Sequence, residues 1–498
     1  MSDTGRIKKP LPDRLRHALW GRVITQDAIP SLRVQTMIDR AHVAMLARQG
    51  ILDREMAALL LDEIEALEKA GFPGVVGEEP VRGQYLLYES ALVERAGSEV
   101  AGNLHRGRSR NDLSATALRL TLRIPLTRVQ QRLHKLISIL VRRAAELRAA
   151  PIPLYTHLRP AVEGTVGHYF CAVAMALTRD ADALMNLWRD LDTSPLGAGA
   201  VGGTSLPIDC TYTAMLLGFN APINNSIDAV ASRDSILRLL SDLAILSVTL
   251  GRLATDLLIW SSEEFGFVSL PDHLVGSSSA LPQKRNPFLL EHVQARSASA
   301  AGAFMAAVTA MTCKPFSNSV AVGTEAVRHV WNPLVDVTQT IEIAQAVVAG
   351  ASFNMHAIER RLAETTVSAA ELADHLAARG IMPFREAHHR VGILVSEAEE
   401  QDRPLANVVA DWASTQGFDI DPCAFAPGAL VSARDFGGGP GARSIERQID
   451  ILERHLARLR GALHEILHRH RSAWRQLNAE VTSLRTRSKR SAAEVART

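Results

Sequence analysis

Cysteine is scarce. The four in 498 residues, Cys171, Cys210, Cys313 and Cys423, lie far apart and share no metal-ligand spacing. A disulfide scaffold and a cysteine-based zinc site are thereby excluded, and the thiols are expected to be buried in a reducing compartment. One-sided charge is also missing: 55 basic against 53 acidic residues leave a net charge of +2. Nothing in that balance attracts nucleic acid as a bulk electrostatic partner. Met1 to Pro10 is polar and lacks the apolar core of a signal peptide. No stretch reads as the ~20 apolar residues of a membrane span. A cytoplasmic protein with no membrane and no nucleic-acid partner is expected.

What remains is an ordinary globular composition, 47% hydrophobic and 22% charged. The chain is too long for one compact core, and about three domains are expected. Helical periodicity dominates. Leu118, Leu122, Leu126, Val129, Leu133, Ile137, Leu140 and Leu147 recur at helical spacings, with Pro125 expected to kink their helix. Further amphipathic runs lie near 164–191, 227–260, 287–311 and 325–350, broken by Gly/Ala at 197–203 and Ser/Gly at 276–279. Long helices so arranged predict an elongated, mainly α bundle over 112–361. A mixed N-terminal domain over 1–111, a helical C-terminal domain over 362–484 and a disordered basic tail over 485–498 complete the expected organisation.

Two segments carry the chemistry. Residues 276–287 read Gly-Ser-Ser-Ser-Ala-Leu-Pro-Gln-Lys-Arg-Asn-Pro. Small residues cannot hold a fixed shape by packing, so this is a mobile loop or a solvated connector. With Lys284 and Asn286 before a resuming helix, it is also suited to a small carboxylate. Residues 104–112 read Leu-His-Arg-Gly-Arg-Ser-Arg-Asn-Asp. They fit an Asp-capped helix start, and equally a second anion-binding constellation.

Together these segments resemble the aspartase/fumarase superfamily, and within it the argininosuccinate lyase branch. The first is similar to the superfamily's signature loop, Gly-Ser-Ser-x-Met-Pro-x-Lys-x-Asn-Pro, and the second to the branch's Thr-Gly-Arg-Ser-Arg-Asn-Asp. Tyr155-Thr156-His157-Leu158, Ser194-Pro195-Leu196-Gly197, Trp260-Ser261-Ser262-Glu263-Glu264-Phe265-Gly266 and Pro383-Phe384-Arg385-Glu386-Ala387-His388 extend the likeness. It runs from Leu19-Trp20-Gly21-Arg22 to about residue 450. The resemblance implies a three-domain fold, a homotetramer with a twenty-helix core, and active sites shared by three subunits. It implies a cofactor-independent elimination of fumarate from a substituted succinate. The base would be Ser278, counted back from Lys284, or Ser277 if the loop aligns on its glycine. Arg110, Asn111, Thr156, Lys284 and Asn286 would hold the two carboxylates, with Ser109 and Ser279 beside them. His157 would pair with Glu291 to handle the proton of the leaving nitrogen.

The departures from the branch's pattern bear on substrate. Residues 159–163 are Arg-Pro-Ala-Val-Glu where the branch has Gln-Arg-Ala-Gln-Pro, so both glutamines are missing. Asn318, Gly323 and Ala326 stand where its tyrosine, glutamine and lysine hold the arginine end. Tyr85 and Leu86 occupy the region of a lost Asp-Ile-His. The fumarate half of the site survives and the guanidinium half does not. The expected reaction is therefore reversible elimination of fumarate from another N-substituted aspartate, such as an aminopolycarboxylate of the ethylenediamine-disuccinate type. True argininosuccinate cleavage, and a catalytically silent structural relative, are the alternatives. His464-Glu465-Ile466-Leu467-His468 fits the zinc-protease pattern, but Arg460, Arg469 and Arg471 around it oppose a dication, and a solvated helix face is expected there.

Overall fold

The computed structural model describes residues 11–21, 23–80, 83–418, 420–421, 428–429, 431 and 434–495, with side chains to 486. Arg22, Cys423 and 496–498 therefore lie outside the described residues.

The N-terminal part is helical among the described residues, not mixed. Helices α1 (Ile29–Arg48), α2 (Arg54–Lys69) and α3 (Gln84–Ala96) surround Leu46, Leu60, Ile64, Phe72 and Tyr88. Asp53 starts α2 by accepting from the Glu55 and Met56 amides, as an N-cap should.

The central bundle is built from α4 (Arg110–Glu146), α5 (Val166–Leu191), α6 (Asp234–Trp260), α7 (Phe288–Met311) and α8 (Trp331–Gly350). Its core holds the predicted stripe of α4, from Leu122 to Leu140, against Phe170, Leu177, Leu243 and Ile341. The assigned helix of α4 runs on through Pro125. Helix α6 corrects the membrane expectation: by length and composition it could cross a bilayer. Here Leu239, Leu243, Leu246 and Leu250 are fully buried in the bundle. Its apolarity serves a core helix, although Ile245 and Val248 remain 58% and 59% exposed.

Two expectations about the C-terminal part change. Helices α9 (Ala369–Ala378), α10 (Phe384–Glu400) and α11 (Leu405–Gln416) form a lobe with its own core around Leu376, Val391 and Val409. Beyond it, α12 (Ala442–Val495) returns to the bundle. Ile445, Leu452, Leu456 and Leu463 join the central core, and Leu477 and Val481 join the N-terminal one. The stretch 362–484 is thus not one unit, because the long stripe of α12 finds its apolar surface elsewhere. The expected tail at 485 is helical as far as Val495, and Arg485 is anchored by Asp62 at 2.8 Å and by Glu65. The thiols also divide: Cys171 is buried, Cys210 half-buried and Cys313 exposed.

Candidate active site

Ser109 takes extended backbone (φ −135°, ψ 169°) and caps α4, its Oγ accepting from the Asn111 amide at 3.4 Å. Asp112 answers by accepting from the Ser109 amide at 2.9 Å, which completes a capping box. Asp112 is fully buried and reaches further. Its Oδ1 takes the Leu113 amide at 2.9 Å, and its Oδ2 takes the Gly197 and Gly199 amides at 2.9 and 3.0 Å. Burial pushes its pKa up, against the backbone donors that pull it down. Gly197 makes this approach possible: its φ is +101°, and a Cβ would lie 2.3 Å from the Cys210 Sγ. The helix start and the Gly/Ala loop are therefore one rigid unit. Sequence reading took Asp112 only as a cap; its second partner is 85 residues away and leaves no local signal.

On this unit Arg110 is exposed, while Asn111 is half-buried and donates to the Ala200 carbonyl at 3.1 Å. The three arginines of the motif separate by role. Arg106 binds the Ile51 carbonyl at 2.6 Å. Arg108 is buried against Asp39 at 2.5 Å, with the Tyr85 hydroxyl at 3.2 Å. Burial alone would lower the Arg108 pKa, and Asp39 with Tyr85 reverses the sign. Arg106 and Arg110 are both exposed, and of the two only Arg106 is tied to a backbone carbonyl among the described residues.

Thr156 and His157 occupy the tip of a hairpin, β1 (Pro151–Thr156) against β2 (Arg159–Thr165). Thr156 pairs with Arg159, so His157 and Leu158 form a two-residue turn with φ of 52° and 57°. Such a turn normally takes Asn-Gly. Leu158 is 76% exposed and gains no burial from this left-handed backbone. Strain of that kind costs on the order of 1 kcal/mol and persists where a side chain must be displayed.

The loop at 276–286 is closed by β3 (Gly276–Ser277) pairing with β4 (Arg285–Asn286), Gly276 opposite Asn286. Arg285 ties its base to Asp272 at 2.6 Å and to the Leu270 carbonyl at 2.9 Å. Within the loop, Ser278 Oγ accepts from the Ala280 and Leu281 amides at 3.3 and 3.1 Å. Two donors on one hydroxyl oxygen favour its anionic form. Ser277 and Ser279 are exposed and carry no such donor among the described residues. Lys284 is exposed, its ammonium unpaired among the described residues, and its amide turns back onto the Leu281 carbonyl at 3.1 Å. Glu291 is exposed in the first turn of α7.

One chain does not assemble these groups. Arg143 near the C-terminal end of α4 meets the Ala351 carbonyl, and Tyr155 meets Phe265 at 5.7 Å. Asn354 donates to the Phe267 carbonyl, and a Cβ on Gly350 at the end of α8 would lie 2.7 Å from Leu274, two residues before the signature loop. The hairpin and the loop thus share one end of the bundle. Ser109, Arg110 and Asn111 sit at the other end of a 37-residue helix, about 54 Å away along its axis at 1.5 Å per residue. No hydrogen bond or ion pair joins His157 to Glu291, or either to the loop, among the described residues.

The segment at 312–330 lies at the Arg110 end, with Phe316 and Val322 lining a cavity beside Ala231, Arg233 and Met311. Ala321–Glu325 is π-helical. Ala326 is fully buried, and a Cβ on Gly323 would lie 2.7 Å from Asn318 Oδ1. That oxygen is itself buried without a partner among the described residues. Glu325 pairs with Arg328 at 2.9 Å, and Glu163 accepts from the Gly428 amide at 2.6 Å. Each carboxylate has a partner within the chain, Glu325 in an exposed pair one turn away and Glu163 in a buried bond. The zinc-like motif is split by geometry: His464 lines a groove against α4, and Glu465 lines a different one against α5.

A lyase family matches residues 82–302, and an argininosuccinate lyase C-terminal family matches 366–421. Argininosuccinate lyase of Methanothrix thermoacetophila is 36% identical over 428 residues, covering 84% of this chain and 87% of that protein. Its counterpart from Methanoculleus marisnigri is 33% identical, with 86% and 88% covered. Among solved structures, an EDDS lyase in complex with formate superposes with a TM-score of 0.84 at 27% identity, covering 98% of this chain and 99% of that one. A class II fumarase from Schistosoma mansoni, at 16% identity and a TM-score of 0.67 over 83% of this chain and 92% of that one, shares the fold.

Proposed function

The chain belongs to the argininosuccinate lyase branch of the aspartase/fumarase superfamily and is a carbon–nitrogen lyase that eliminates fumarate, and we propose that its leaving group is an amine other than arginine. The observation that carries this reading is the π-helical segment beside the Arg110 end. Gly323 has no side chain, Ala326 is fully buried, and the acceptor Asn318 Oδ1 is packed under Gly323, so these three positions offer no exposed group to a guanidinium and its amino-acid end. A site that loses buried polar partners loses several orders of magnitude in discrimination. An N-substituted aspartate of the aminopolycarboxylate type, such as ethylenediamine-disuccinate, fits what is left.

In this reading Ser278, as its alkoxide, takes the proton from the carbon beside one carboxylate. The C–H electron pair becomes the new C=C bond, and the C–N pair leaves with the nitrogen. His157, held by Glu291, donates the proton that nitrogen needs. Arg110, Asn111, Thr156, Lys284 and Asn286, with Ser109 and Ser279 beside them, spread the transient negative charge. The two amides on Ser278 support its choice over Ser277. Because the groups lie at opposite ends of α4, the site must combine different copies of the chain. Exposed Ile245, Val248, Met305 and Val335 on α6, α7 and α8 suit the shared core of a homotetramer.

The test is the reverse reaction. Fumarate is incubated with a panel of amines, including ethylenediamine and arginine, and its ultraviolet absorbance is followed. Consumption with a diamine and little with arginine is expected. Turnover confined to arginine, with rapid cleavage of argininosuccinate, would favour the second reading, which the curated relatives' shared name supports. If no amine consumes fumarate and argininosuccinate releases none, both readings are lost.

A further inference from the structure

Between α4 and α12, far from either cluster of site residues, runs a groove of about 290 Å³. Gln131, His134 and Lys135 come from α4, and Arg460, His464 and Arg471 from α12, with Leu463 and Leu467 beneath. No aspartate or glutamate lines it. Gln131 to Lys135 lie roughly 30–38 Å along α4 from Arg110, and well short of the hairpin that follows the helix.

The lining is unusual for a solvated surface. Lys135, Arg460 and Arg471 form no ion pair among the described residues, whereas Arg454 and Arg458 on the same helix pair with Asp450 and Asp182. Arg460 is instead turned onto α4, donating to Ser138 Oγ. His134 is only 3% exposed, and its Nε2 has no partner among the described residues. Burial and then Arg460 hold its pKa down to about 4, so the ring is neutral and can donate one N–H. Converging like charges oppose folding unless something offsets them. The exposed large apolar side chains of these two helices, Ile124 on α4 and Ile451 and Trp474 on α12, are not among the groove's lining residues.

We propose that this groove binds a small multiply charged oxyanion, either free phosphate or the phosphoryl group of a small metabolite. Guanidinium forks and an ammonium converging from two helices suit the tetrahedral spread of phosphate oxygens. An anion there would clamp α12 to α4.

Inorganic phosphate and glycerol phosphate are titrated calorimetrically into the full-length protein, its Lys135→Glu/Arg471→Glu variant and its Lys284→Ala variant. Both rim residues are exposed, and circular dichroism checks the fold; Arg460→Gln provides a milder second variant. Saturable binding is expected in the native protein and in Lys284→Ala. It should weaken at least about tenfold in the rim variants, as loss of a charge-assisted contact predicts, while fumarate formation is unchanged. The tighter of the two ligands identifies the source of the phosphoryl group. Absence of saturable binding, binding that survives the rim substitutions, or loss in Lys284→Ala, which would assign it to the catalytic loop, each overturns the proposal.

Discussion

Replacing Asp112 by asparagine should dismantle the carboxylate-binding helix start while leaving the bundle folded. The native carboxylate accepts four backbone N–H groups, two on each oxygen, in a fully buried position. Asparagine keeps the shape but has one acceptor. If its oxygen stays with Ser109 and Leu113, its amide N–H₂ points at the donors of Gly197 and Gly199. Two charge-assisted bonds are lost, each worth about 1.5–3 kcal/mol, and two buried amides lack partners. The sum, about 3–6 kcal/mol, is an upper figure because the Gly/Ala loop can move away. That movement is the point: Asn111 rests on the Ala200 carbonyl of the same loop. Fumarate inhibition should weaken at least about tenfold, corresponding to 1.4 kcal/mol of the local loss. Catalytic efficiency should fall by about two orders of magnitude or more. Inhibition constants, steady-state rates and the melting temperature of the same preparation check this. Native-like fumarate inhibition together with a native melting temperature would refute the claim that Asp112 couples the two segments.

Ser278→Ala should cut turnover by orders of magnitude with the assembly intact, and Ser277→Ala should cost far less; the reverse order in steady-state kinetics would move the base to Ser277. Leu158→Gly should raise the melting temperature, because about 1 kcal/mol of left-handed strain is relieved, and kinetics would show whether His157 stays correctly displayed. His470 has its pKa lowered to about 3, by burial first and then by Arg123 and Arg469. The unfolded chain takes up a proton near pH 6.5 while the folded chain does not, so stability is lost as pH falls through that value. Between pH 7 and 5 the loss is at most about 2 kcal/mol, and His470→Gln should flatten that part of the melting-temperature profile.

The long helices were legible because their apolar stripes are local and periodic: the pattern from Leu122 to Leu140 both predicts α4 and fills the core it belongs to. The motif segments were legible because a helix start and a small-residue loop have chemistry written into adjacent residues. Which residue caps that helix was not legible: the segment reads as Asp-capped, but Ser109 is the cap and Asp112 sits at the third helical position. Periodicity does not say which surface a stripe will meet. Hence α12 reads as part of a C-terminal domain but belongs to the bundle, and α6, apolar enough for a membrane, is a core helix. Nor does local sequence say which of three arginines will be buried. That depended on Asp39, which lies 69 positions earlier and meets Arg108 only after α1 packs beside the start of α4. The bond from Asp112 to Gly197, and the cations between α4 and α12 that form no ion pair among the described residues, are products of three-dimensional closure. A side chain's type is set by the sequence, but its partners, and so its charge and freedom, are set by what the fold places within 3 Å of it.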